Sequence, residues 1–335
     1  MIKKYLFSAI IILFLSLTNG VNAQNSSTVK ADSAMLPMKD TSWHRGMFTS
    51  ITFNQVGLTN WAAGGESSLS LSSTLNAWDN YKKGKVSWDN SINLGYGLLE
   101  QAGGETQKNT DNIELNSIFG HLIKGKFYLS VLANFKSQFA RGYNYPNDSV
   151  VVSKFAAPAY ITLALGVDYK PASWFSMFLS PATGRYIIVQ DQVLADSGAY
   201  GVTPAVFDVY HNLITHGKMY QAQFGAYFKM KFQKDIFKGV NFGSNLTLFN
   251  NYTDAVPAYR KDVVVTWDNM LNIKTGKFLT TSFVTNMIYD HSVDVPIYKT
   301  INGVQTIIGK GPRLQFREIL GIGISYRISN RPEKK

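Results

Sequence analysis

The chain contains no cysteine among its 335 residues, which excludes disulfides, thiolate metal centres and cysteine nucleophiles together. Long apolar runs are also missing. After the N-terminal segment, no stretch approaches the roughly 18 consecutive apolar residues that a membrane-spanning helix requires. Charge is sparse at 16%, and acidic residues are outnumbered 22 to 33, giving a net charge of +11. In a cytosolic protein that balance would suggest nucleic acid, but the N-terminus argues for export, so no nucleic-acid partner is expected. Lys3 and Lys4 precede an apolar run from Tyr5 to Leu17, with Val21 and Ala23 at the small-residue positions of a cleavage site. Residues 1–23 therefore read as a secretory signal, cut before Gln24. Residues 24–43, polar and without period, read as a flexible periplasmic leader.

What the chain does have is alternation. Between Arg313 and Arg327, Arg, Gln, Arg, Ile, Gly, Gly, Ser and Arg occupy odd positions, and Leu, Phe, Glu, Leu, Ile, Ile and Tyr the even ones. The same two-residue period returns along most of the chain. It implies an all-β fold, a transmembrane antiparallel up-and-down β-barrel over residues 44–328 with a polar tail at 329–335. A secreted β-sandwich is the runner-up, disfavoured by the number of long strands. Mean hydropathy of −0.07 with 13% aromatic residues also suits strands with one lipid face and one wet face.

The period gives strands at 44–56, 65–81, 85–100, 111–123, 126–140, 157–170, 173–180, 219–233, 238–250, 262–274, 277–290 and 313–328, about 12 in all. Short links fall at Lys82–Lys85, Lys124–Lys126, Lys170–Ser173, Gln233–Lys238 and Lys274–Lys277. Long links fall between them at 57–64, 101–110, 141–156, 181–218, 251–261 and 291–312. That succession is required of a barrel with short periplasmic turns and longer outer loops. Residues 181–218 have room for a further hairpin. Lysines crowd the short links, including Lys82, Lys83, Lys124, Lys126, Lys170 and Lys238, and with Arg327, Arg331, Lys334 and Lys335 they make one rim basic.

Faces follow from the pleat. In the eighth strand Tyr220, Phe224, Phe228 and Phe232 face lipid, while Gln221, Gln223, Tyr227, Lys229 and Lys231 face inward. In the fifth, Phe127, Leu129 and Val131 point out, and Ser130, Asn134 and Lys136 point in. Tyr96, Trp88, Tyr160, Tyr169, Trp174, Trp267, Tyr289 and Tyr326 lie toward strand ends, as interfacial girdles. The candidate lumen lining is Asp89, Glu114, Asp168 and Asp268 against Lys136, Lys229, Lys231, Arg313, Arg317 and Arg327. Charges of both signs inside a barrel either cross-link the lumen or line a selective path. A partly occluded lumen is favoured, because 181–218 carries apolar Ile187, Ile188, Val189 and Phe207 and can fold over or into the mouth. An extracellular hairpin continuing the strands is the equal alternative. Trp, Asp and Asn recur at Trp78–Asn80, Trp88–Asn90 and Trp267–Asn269 and read as interfacial tryptophans beside turns. The first long link holds a distinctive cluster of Asn60, Trp61, Gly64 and Gly65.

Two blocks carry a family resemblance. Leu58 to Glu66 (LTNWAAGGE) and Leu314 to Tyr326 (LQFREILGIGISY) resemble a Bacteroidota envelope family known only as domain of unknown function 3078. The resemblance covers most of the mature chain and implies an outer-membrane barrel. It carries over no catalytic or ligand residues.

Lipid-modifying chemistry would need a serine or aspartate activated by a histidine at the outer leaflet. His121 falls at the turn end, His291 and Ser292 alternate faces, and the spacing of His211 and His216 fits no common zinc motif. No enzyme, metal or cofactor is expected. Two functions stay open: a passive or gated pore for a small solute, and a closed barrel serving as envelope scaffold or partner platform. The pore requires a wet path past Lys136, Lys229 and Asp268; the scaffold requires those residues paired. A transporter linked to an energising partner through a plug domain is disfavoured by the short leader. The other expected partners are outer-membrane lipid with lipopolysaccharide, and the barrel assembly machinery.

Overall fold

The computed structural model describes residues 42–56, 68–101, 104, 106–144, 147–276, 278–301 and 304–330. The signal, nearly all of the leader, the cluster of Asn60, Trp61, Gly64 and Gly65, and nearly all of the C-terminal tail lie outside these residues.

Among the described residues there are eighteen strands. Five are β1 (Trp43–Val56), β2 (Ser68–Lys83), β3 (Val86–Gln101), β4 (Gln107–Lys124) and β5 (Phe127–Ser137). After the small hairpin β6 (Gly142–Asn144) and β7 (Asn147–Ser153) come β8 (Ala159–Ala172) and β9 (Phe175–Ile188). The short pair β10 (Val206–Phe207) and β11 (Leu213–Thr215) precedes β12 (Tyr220–Phe237), β13 (Val240–Asn251), β14 (Val263–Thr275) and β15 (Leu279–Tyr289). A last hairpin, β16 (Asp294–Ile301) and β17 (Val304–Pro312), leads to β18 (Gln315–Ser329). Twelve of these close one antiparallel barrel, in the order β1, β2, β3, β4, β5, β8, β9, β12, β13, β14, β15, β18 and back to β1. The six others form hairpins within the long links between barrel strands.

Closure removes the free edges that lipid would not tolerate, because every strand can be satisfied on both sides. The outward face is apolar and open: Leu163, Leu165, Leu179, Ile322 and Ile324 are each at least half exposed. A closed barrel wearing such a belt is an outer-membrane barrel. The rims carry aromatic clusters. Trp174 meets Phe232 edge-on at 5.4 Å, with the Lys234 ammonium 4.8 Å above the indole. Short turns end in left-handed glycines, Gly84 at φ 57° and Gly125 at φ 59°, positions where a side chain would strain the backbone.

The seventh barrel strand departs from the sequence reading. It runs to Ile188 instead of stopping at residue 180, with a bulge around Pro181. Proline cannot donate to the ladder, and Ser180 repairs the break by donating to the Leu165 carbonyl at 2.7 Å. The fifth strand is shorter than expected and ends at Ser137.

Candidate functional site

The inward face is a polar lumen crossed at several levels by side chains. Nearest the turns, Lys170 Nζ lies 2.5 Å from Asp89 on β3 and 3.0 Å from Asp168, and donates to Ser87 Oγ at 3.0 Å. Lys170 is not part of the basic rim that its sequence position suggests: it belongs to β8, and the pleat turns its side chain inward. Arg327 also points in, its guanidinium carbon 5.4 Å from the Trp78 ring. Trp78 is thus a lumen residue rather than an interfacial anchor.

At mid-height Glu114 on β4 is the hub. Its carboxylate lies 3.6 Å from Lys136 Nζ and 3.9 Å from Lys229 Nζ, and accepts from Asn134 at 3.2 Å and Asn93 at 3.5 Å. Lys229 starts from β12, four strands round the wall, and donates to Asn116 Oδ1 at 2.7 Å. Below and beside this hub the lumen is filled by a buried apolar cluster of Leu132, Ala164, Phe178, Tyr227 and Phe249. On the opposite wall Asp268 accepts from Asn286 at 2.6 Å, and Arg317 donates to Asn286 Oδ1 at 2.8 and 3.0 Å. Arg317 also reaches the Asn109 carbonyl on β4 at 3.0 Å.

Not every inward group is engaged. Lys231 lies two residues beyond Lys229 on β12 and so shares its face; it is directly paired with Asn245 of β13, and both are exposed. Lys231 has no hydrogen-bond or ion-pair partner among the described residues.

Arg185 of β9 sits between the rings of Tyr160 and Phe249, at 4.8 and 5.2 Å, and 4.0 Å from Asp290. Tyr160 faces inward, so it does not belong to the girdle. Above it residues 189–219 fold back as a lid, closed at its base by Val189 N–H donating to the Met219 carbonyl at 2.7 Å. A short helix, α1 (Gln192–Asp196), is capped by Asp191, which accepts from Leu194 N–H at 3.0 Å. Leu194, Ala195, Val189 and Val202 bury themselves with Ala157 against Ile187 and Tyr160. The lid reaches from its own base to the link after β15: an added Cβ on Gly201 would lie 3.2 Å from Gln221 Oε1 of β12 and 3.3 Å from Ser292 Cβ. Lys154 fastens it to the neighbouring loop through Asp191 at 2.7 Å, as does the Tyr200 hydroxyl donating to the Val152 carbonyl at 2.7 Å. The Asp191 carboxyl is held below its usual range, first by the Lys154 hydrogen bond and then by the Leu194 N–H, while burial pushes the Tyr200 phenol up.

Of the residues proposed from sequence, Asp89, Glu114, Lys136, Asp168, Lys229, Lys231, Asp268, Arg317 and Arg327 occupy the inward face. Arg313 does not: it is exposed in the link between β17 and β18, outside the barrel wall. The histidines are dispersed. His291 contacts Asp254 at 3.0 Å and His216 contacts Asp196 at 2.9 Å, while Ser292 donates to Asp290 at 2.6 Å. Arg185 falls in a segment that reads as loop and carries no signal of its own, whereas Asn93, Asn116 and Asn286, absent from the sequence candidates, lie on the polar side of alternating strands.

Residues 53–143 match the family described as "Protein of unknown function (DUF3078)". That span contains the first resembling block and not the second. No curated protein matches the chain. Among solved structures, the translocator domain of autotransporter NalP from Neisseria meningitidis aligns at 9% identity over 88% of this chain and 91% of its own, with a TM-score of 0.35. An outer membrane channel from Pseudomonas putida F1 aligns at 10% identity over 90% and 100%, with a TM-score of 0.36. The NanC porin aligns at 8% identity over 84% and 97%, with a TM-score of 0.35.

Proposed function

We propose that this outer-membrane barrel is a gated, non-catalytic pore for small solutes, with a partly occluded lumen that favours anions and a mouth closed by the 189–219 lid. The observation that carries the reading is Lys231, inward, exposed and with no hydrogen-bond or ion-pair partner among the described residues. An unpaired ammonium in a barrel interior is tolerable only if water reaches it. Arg317, whose hydrogen-bond partners are neutral, is a second inward cation, at the far end of the cross-strand row that runs from Lys231 through Asn245, Asp268 and Asn286. The surrounding partners in this reading are lipid and lipopolysaccharide around the apolar belt, and the assembly machinery at insertion.

A second reading, a closed barrel serving as scaffold or partner platform, is favoured by the pairing of Lys136, Lys229 and Asp268. The path for solute would then have to run along the Lys231 side of the lumen, away from the braces. Reversal potentials in a potassium chloride gradient test the proposal. The lid-shortened protein should prefer chloride, and Lys231→Glu should shift the preference toward potassium. Absence of current from the shortened form would reject the pore and leave the scaffold.

A further inference from the structure

Five inward side chains stand level on five neighbouring strands, in the order Lys231, Asn245, Asp268, Asn286 and Arg317, each directly paired with the next. Residues opposite one another in a ladder share a face, so the row is continuous along the lumen wall. Its charges alternate, with a cation at either end, a carboxylate in the middle and a neutral amide in each interval. Lys231, Asn245 and Arg317 are exposed, and Asp268 and Asn286 are half-buried. None of the three charged groups has an ion-pair partner among the described residues. At the Glu114 hub the same composition, two cations and a carboxylate, is closed on itself at 3.6 and 3.9 Å. On the row it is held apart, because each cation starts two strands, about 10 Å, from the carboxylate.

Beside the row there is room. One step nearer the turns the inward positions are Gly243, Met270, Val284 and Ile319, again paired in that order. A Cβ added to Gly243 would meet nothing closer than two backbone carbonyls at 4.0 Å. At inward Gly97 and Gly321 it would strike neighbouring side chains at 2.3 and 2.1 Å. Gly243 therefore leaves a space next to Asn245, and the half-buried Met270, Val284 and Ile319 give it an aliphatic side. Donors also remain on the row. Arg317 engages three of its five N–H groups, two toward Asn286 and one toward the Asn109 carbonyl, which leaves others for a carboxylate. Asn286 occupies one oxygen of Asp268 at 2.6 Å, and no hydrogen bond from a described residue reaches the other.

We propose that this wall binds an amino-dicarboxylate, a small solute whose ammonium meets Asp268 and whose two carboxylates meet Lys231 and Arg317, with its carbon chain against Met270 and Val284. A row that reads plus, minus, plus is complementary to a solute that reads minus, plus, minus. A plain dicarboxylate would set negative charge against Asp268, and a monocarboxylic amino acid would leave one cation unused. The proposal rests on the pore reading for the solute's passage and names its class, but occupancy of the site is measured without any current. Tritiated glutamate is bound to the purified full-length protein in phosphatidylcholine nanodiscs and displaced by glutarate or by 2-aminopentanoate. These competitors share its five-carbon chain and lack the ammonium or the second carboxylate.

Glutamate should bind saturably, and each competitor should be weaker by about tenfold, the loss of one charged hydrogen-bonding group. Asp268→Asn should bring glutarate level with glutamate, and Arg317→Gln should erase the advantage over 2-aminopentanoate. Gly243→Phe, which fills the space beside the row, should remove saturable binding. Should a variant fail to insert, the order of the three compounds on the unaltered protein still decides. Absence of saturable binding to both the intact and the lid-shortened protein would overturn the proposal. Glutarate or 2-aminopentanoate binding as tightly as glutamate would overturn it too, as would an Asp268→Asn protein that keeps the original order. Saturable binding without conductance would reject the pore and keep this site, and chloride-preferring current without saturable binding would do the reverse.

Discussion

Lys229 on β12 donates to Asn116 on β4 at 2.7 Å, a contact that spans four strands of the wall through the lumen. Side chains this far apart in the sheet meet only because the barrel is narrow, and their contact braces one third of the wall across the lumen around Glu114. Glu114 faces two cations, so Glu114→Gln leaves both without their counter-charge. It should cost about 1 to 3 kcal/mol in detergent-refolding titrations with urea. Lys136→Met should cost less, because that ammonium is a third exposed and its pairing is screened. Equal losses for the two would mean that Glu114 is not the hub.

The lid is fastened through a depressed carboxyl. The Lys154 hydrogen bond is the largest cause, and the Asp191 carboxyl therefore titrates below its ordinary 3.8. Its contribution to lid closure is complete above that ordinary value and is lost as pH falls through the lowered folded value. Current through the intact protein should therefore rise reversibly only in acid, below about pH 3.8. Asp191→Asn should raise the neutral-pH current and remove this step. Current that rises between neutrality and pH 5, or an unchanged acid step in the variant, would contradict the assignment.

Phe178 is 2% exposed at the centre of the inward apolar cluster. Phe178→Ala should destabilise the barrel by about 3 to 5 kcal/mol and widen the packed half of the lumen. In the lid-shortened background its unitary conductance should exceed that of the parent. An unchanged conductance would place the conducting path wholly on the Lys231 side.

The twelve barrel strands were legible because a lipid face and a wet face impose a strict two-residue period, and the short glycine-bearing turns punctuate it. Lumen charges were legible for the same reason: Glu114 and Lys229 sit on the polar side of clean alternations. The period failed wherever burial replaced lipid. Residues 182–188 belong to β9, but the bulge at Pro181 shifts the alternation by one, so the end of the strand reads as loop. Tyr160 looks like a girdle aromatic at a strand end, and only the lid above it and Arg185 beside it explain its inward position. Arg313 continues the odd-numbered polar series of β18 but precedes the first paired residue, Gln315.

The most direct test of the gated pore is the current carried by a single barrel with and without its lid. Val189 and Met219 are already joined by a backbone hydrogen bond of 2.7 Å, so an Asn-Gly turn can replace the residues between them without disturbing β9 or β12. In planar bilayers the intact protein should show low, intermittent current, and the shortened form steady chloride-preferring steps. Silence from a shortened barrel that is folded and inserted would contradict the account.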